Sequence, residues 1–158
     1  MEFSERTLRG RTAEHIVSSM LSEAGYFVYR FGYEGILQSL VQQGLPKMKR
    51  ANIPAEKIRT MPDFIVMDKE GEVFFVEVKY QANGKKTEFF QEWLNKAVKH
   101  WPEAKVLVLH PYEPCFQIST IRDLERTGTF YPLERDKYLK VDGKLVTKYG
   151  EMIKRYLD

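Results

Sequence analysis

At 158 residues the chain is long enough for one compact domain and too short for two comfortable ones. Its net charge of +3 is too mild to argue for nucleic acid by itself, so only a local basic stripe could carry that reading. One cysteine, Cys115, excludes an intramolecular disulfide and a cysteine metal cluster.

The hydrophobic fraction of 43% and charged fraction of 30% are ordinary for a globular protein, and ten Phe, nine Tyr and two Trp can supply a sizeable core. Met1 to Arg11 is polar and charged, unlike a secretory signal. No apolar run approaches bilayer length. The expectation is a cytoplasmic protein without a membrane partner.

In chain order, Thr7 to Ala24 carries Ala13, Ile16, Val17, Met20, Leu21 and Ala24 at helical spacing, and Gly25 follows as a stop. Tyr26 to Tyr33 is aromatic and β-branched and predicts a strand. Ile36 to Val41 reads as a short helix. Residues 44–60 are broken by Pro46 and Pro54, and Lys47, Lys49, Arg50, Lys57 and Arg59 there face only Glu56. This is read as a loop-rich basic insertion.

Asp63 to Asp68 and Glu72 to Tyr80 predict a β-hairpin closed by Lys69, Glu70 and Gly71, with glycine where a left-handed residue is wanted. Thr87 can cap a helix whose apolar face holds Phe89, Phe90, Trp93, Leu94, Ala97, Val98 and Trp101. That aromatic face is assigned to the core, not to base stacking. Lys105 to His110 and Phe116 to Ile121 read as strands. The segment 123–158 is a charged extension in which Tyr149 to Leu157 could form a helix. The order α-β-β-β-α-β, with apolar residues on both faces of the strands, implies an α/β sandwich around a mixed sheet.

If the hairpin loop is centred on Glu70, Asp63 faces Glu77 across it. Facing side chains lie about 5 Å apart at Cβ, where like charges destabilise. Lys79, two residues on, points to the same face as Glu77. A structural ion pair would use Lys79 for one carboxylate and leave the other uncompensated. A hard divalent ion on Asp63, Glu77 and the Val78 carbonyl accounts for both, Mg²⁺ first and Mn²⁺ second. Glu14 lies on the apolar stripe of the first helix and is the candidate third acid. Cys115, between Pro114 and Phe116, reads as a packed or exposed thiol. His15, His100 and His110 lack metal-ligand spacing, and His110 reads as structural.

Met61, Pro62 and Asp63 on one strand, then Glu77, Val78 and Lys79 on the next, resemble the signature of the PD-(D/E)xK, restriction-endonuclease-like nuclease superfamily. The resemblance covers roughly 7–121 and includes the order of elements. It implies that Asp63 and Glu77 bind metal, that Lys79 orients or deprotonates the attacking water, and that Glu14 is the glutamate many members carry on the first helix. Gln81 matches a polar position just past the lysine in some branches. The implied activity is Mg²⁺-dependent hydrolysis of DNA, of restriction or Holliday-junction-resolvase type, with no residue assigning the branch. Lys47, Lys49, Arg50, Lys57, Arg59, Lys85 and Lys86 are the candidate contacts to phosphates. Symmetric duplex cleavage would suit a homodimer. A noncatalytic nucleic-acid-binding module of the same fold remains the alternative.

Overall fold

The computed structural model describes residues 3–49, 51–83 and 87–157. Its elements are α1 (Phe3–Glu23), β1 (Phe27–Arg30), α2 (Glu34–Gln42), α3 (Ile53–Arg59), β2 (Phe64–Met67), β3 (Val73–Tyr80), α4 (Glu88–His100), β4 (Lys105–Leu109), β5 (Phe116–Thr120), α5 (Ile121–Thr127), β6 (Tyr131–Pro132) and α6 (Gly143–Tyr156). The strands form one mixed sheet whose spatial order is the sequence order. Neighbours pair antiparallel except β3 and β4, which are parallel. A parallel pair needs a crossover, and α4 supplies it.

Two apolar layers cover the sheet. On one face, Ala13, Ile16, Val17, Met20 and Leu21 of α1 and Val146, Tyr149 and Ile153 of α6 pack on Phe64, Val66, Val76, Val78, Leu107 and Phe116. On the other, Phe90, Leu94 and Ala97 of α4 and Ile121 and Leu124 of α5 cover Val106 and Val108. The alternation of strand side chains divides β3 between them: Val76 and Val78 face α1, whereas Phe75 joins the α4 layer. Glu77 and Lys79 share the parity of Phe75.

Local chemistry sets the boundaries. Gly25 ends α1 at φ +99°, and Gly71 closes the hairpin at φ +87°, both backbone states that strain an L side chain. The Thr87 hydroxyl accepts from the Phe90 amide at 3.2 Å, capping α4 as the sequence predicts.

Four expectations need correction. The basic insertion is not all loop. Asn52 caps α3 by accepting from the Ala55 amide at 3.0 Å, and Pro54 sits in its first turn, where the missing N–H costs no helical bond. Phe89 is not core: it is 72% exposed, about 100° around the helix from the buried Phe90, and falls outside the face centred on Phe90, Leu94 and Ala97. β1 is shorter than predicted, since the amides of Phe31 and Gly32 both turn to the Asp63 carbonyl beyond the strand end.

The charged extension, finally, is integral to the core. Leu133, Leu139, Val141, Val146, Ile153 and Leu157 are buried against α1 and the sheet. These residues are spaced irregularly, two to seven positions apart, and are diluted by Lys and Glu, which hides them from a composition reading. Gly150 of α6 lets that helix approach β5, since a Cβ there would lie 3.2 Å from the Cys115 Sγ. Cys115 is thus a packed thiol, and burial, with Glu113 beside it, pushes its pKa up to about 11.

Candidate active site

The hairpin pairs in the register the sequence implies. Phe64 faces Val76, Ile65 faces Phe75, Val66 faces Phe74 and Met67 faces Val73. Continued by one step, that register sets Asp63 opposite Glu77, and by two, Pro62 opposite Val78. Here the ladder gives way to side-chain chemistry. Pro62 has no N–H to offer the Val78 carbonyl. The Val78 amide donates instead to the Asp63 carboxylate at 2.8 Å. One proline and one aspartate thus leave a backbone oxygen and a carboxylate side by side at the end of β2.

Glu77 is buried, and on the next strand its partners in register are the fully buried Val106 and, for Lys79, Val108. β4 therefore offers neither charge a polar neighbour. The Glu77 carboxylate takes the Lys79 ammonium at 2.6 Å. The ammonium also lies 4.4 Å from the centre of the Trp93 ring, which the first turns of α4 bring over it. On the α1 side, the Glu14 carboxylate receives the Arg30 guanidinium at 3.2 Å.

The carboxylates feel one another. Desolvation, then the charges of Glu77 and Glu14, hold Asp63 well above the usual aspartate range despite the Val78 amide. Glu14 is also raised, first by desolvation and then by Glu34, with Glu77 adding to it against Arg30. Burial pulls the Lys79 pKa down, but Glu77, Asp63 and Glu14 outweigh it and the ammonium is held above the ordinary lysine value. Lys79 is paired with Glu77 and Arg30 with Glu14, while Asp63 accepts the Val78 amide.

A cleft of about 500 Å³ opens on this cluster. Glu14, Asp63, Glu77, Val78, Lys79 and Gln81 all line it. The Gln81 amide is fixed by the Leu109 carbonyl at 3.0 Å, which carries β3 one residue further into the cleft wall. The proposed phosphate contacts are not gathered there. Lys47 and Arg59 line a neighbouring groove, and the Arg59 guanidinium donates to the carbonyls of Met48 and Lys49 at 3.1 and 3.0 Å. Lys57 stacks over Trp101 at 5.5 Å on the far side of α3, and Lys49 lines neither cavity. Arg50, Lys85 and Lys86 lie outside the described residues.

Sequence reading missed four contributors: Arg6 and Arg9 of α1, which bring positive charge to the cleft, Trp93 and Arg30. A signal for Arg6 existed. Arg6, Gly10 and Glu14 follow one another at intervals of four and share a helix face, with open space above Gly10. His110 is structural, as expected. Its ring lies 3.1 Å from the Gln81 carbonyl through Nδ1 and 3.0 Å from Gln117 through Nε2.

The donor set suits a hard divalent cation: three carboxylates and the Val78 carbonyl, with no sulfur or imidazole among the described residues lining the cleft. In the arrangement described, each carboxylate is turned to a protein donor. No group of three or more His, Cys, Asp or Glu among the described residues is posed to hold an ion. Among them, too, no helix is long and apolar enough to cross a membrane. No family model matches the chain, and no curated protein does.

Proposed function

We propose that this chain is a divalent-metal-dependent nuclease of the restriction-endonuclease-like, PD-(D/E)xK superfamily that hydrolyses phosphodiester bonds in DNA. The observation that carries the proposal is the desolvated pair Asp63, just before β2, and Glu77 on β3, with Lys79 two residues further along β3 and all three in one cleft. Carboxylates so placed oppose folding unless their surplus charge serves a ligand. The order α1-β1-β2-β3-α4-β4, once α2 and α3 between β1 and β2 are set aside as an insertion, is that expected of that superfamily's core and adds to the support.

Asp63, Glu77, the Val78 carbonyl and Glu14 would hold Mg²⁺, or Mn²⁺ in its place. Bound there, the ion supplies polarisation of the scissile phosphate and a more acidic water. Lys79 is held as an ammonium by its carboxylate neighbours. Its Nζ would donate to the attacking water or to a phosphate oxygen, stabilising charge as it develops. Glu77 and Trp93 fix where that ammonium sits. Arg6 and Arg9 line the cleft, Arg6 with its guanidinium over the Phe89 ring, and would take flanking phosphates.

One observation favours a second reading, a DNA-binding module without turnover: the Glu77 carboxylate is closed on Lys79 and not open to an ion. The test is incubation of labelled linear, single-stranded, flapped and four-way DNAs with Mg²⁺, Mn²⁺ or EDTA. Metal-dependent scission leaving 5′-phosphate ends is expected, and the preferred substrate separates a restriction-type from a resolvase-like enzyme. Tight binding with no scission of any DNA would favour the module.

A further inference from the structure

We propose, resting on the nuclease reading of the cleft, that the groove beside it receives unpaired bases of the same DNA strand, so that the substrate is DNA bearing a single-stranded arm. This groove, of about 780 Å³, is the larger of the two cavities and is within the range of sites that enclose small organic ligands. Phe89 and Trp93 line both cavities, so the groove continues from the cleft and does not stand apart from it. It begins at the reacting end, since Trp93 is the ring against which Lys79 rests.

Its walls suit bases. No residue of α2 is buried, and Leu37 and Val41, the latter 72% exposed, turn apolar surface into the groove. Phe89, equally exposed and with the Arg6 guanidinium 5.7 Å from its ring centre, and Tyr33 add ring faces. A duplex keeps its base faces stacked on one another, and only unpaired nucleotides can lend theirs to aromatic side chains. The charges lining the groove are Lys47, Arg59 and Lys96 against Glu56 and Glu92, three cations to two acids, with Glu56 engaged by His100 at 2.9 Å and the Arg59 guanidinium by the Met48 and Lys49 carbonyls. The phosphates of an arm are therefore accommodated, while stacking supplies the preference.

Binding in EDTA tests this without requiring catalysis. A labelled duplex carrying a single-stranded thymidine arm is compared with the same duplex blunt-ended, by fluorescence anisotropy. The arm is expected to tighten binding about tenfold or more, as stacking of one or two bases does. Phe89→Ala and Val41→Glu, both at exposed positions that folding does not use, should bring the ratio of the two affinities close to one. An equal affinity for the two DNAs, or a preference that survives both substitutions, would overturn the proposal. So would a concentration-dependent dimer in sedimentation velocity that the same substitutions dissolve, which would assign the groove to a second copy. Arm preference without metal-dependent cutting would remove the nuclease reading and leave the groove; cutting with arm-independent binding would do the reverse.

Discussion

Replacing Asp63 by asparagine should stabilise the fold while removing its proposed activity. The asparagine side chain would keep an oxygen for the Val78 amide, which Asp63 now accepts at 2.8 Å, and would change only charge. Two unit charges about 5 Å apart at an effective dielectric constant near 20 repel by about 3 kcal/mol. Attraction between Asp63 and the Lys79 ammonium offsets part of this. A net gain of about 1–2 kcal/mol on substitution follows, worth roughly 3 °C per kcal/mol in Tm for a chain of this size.

The pH dependence has a definite sign. Desolvation and the charges of Glu77 and Glu14 raise the Asp63 pKa above its ordinary 3.8, so its ionisation disfavours the folded state. Below the ordinary value both states hold the proton and the variant gains nothing. As pH rises from there through the raised folded-state value, the unfolded state loses its proton first and the wild type loses stability. The advantage of Asp63→Asn grows across that window and is constant above it. Urea unfolding in EDTA at a series of pH values reads it directly. A variant less stable than wild type near neutral pH, with unchanged m-value, would refute the electrostatic reasoning and make Asp63 a structural residue.

Lys79→Ala strands the Glu77 carboxylate, which now holds the ammonium at 2.6 Å, and should cost about 1–3 kcal/mol in EDTA together with all cleavage. Leu139→Ala, at a fully buried position in the C-terminal segment, should cost about 2–5 kcal/mol in urea unfolding; a neutral effect would mean that segment is not core. Arg59→Ala removes the two donors that tie down the Met48 and Lys49 carbonyls, and faster proteolysis between Leu45 and Lys49 is expected, with a loss of about 1 kcal/mol per hydrogen bond.

The hairpin was legible because its information is local. Two short apolar runs, Gly71 between them and the interval from Asp63 to Glu77 define the register without help from the rest of the chain, and β2 and β3 pair in that register. Glu14 was legible for a similar reason, as a carboxylate on an apolar helical stripe. What escaped was set by distant packing. Nothing near Leu139 or Ile153 announces that the C-terminal segment folds back on α1, since that burial depends on residues far away in sequence. Phe89 and Phe90 look alike in sequence, and only the angle at which α4 lies on the sheet sends one inward and the other into solvent. Arg30 pairs with Glu14 only because β1 runs beside α1, a relation that spacing alone does not give.

The most direct test sets wild type beside Asp63→Ala and Glu77→Ala, measuring Mg²⁺ binding by calorimetry and DNA cleavage in the same preparations. Expected is an ion bound by the wild type with cutting that saturates as the site fills, and loss of both in each folded variant. Cleavage that persists in Asp63→Ala, or a folded wild type that binds no divalent ion and cuts nothing, would contradict the assignment of this cleft as a nuclease active site.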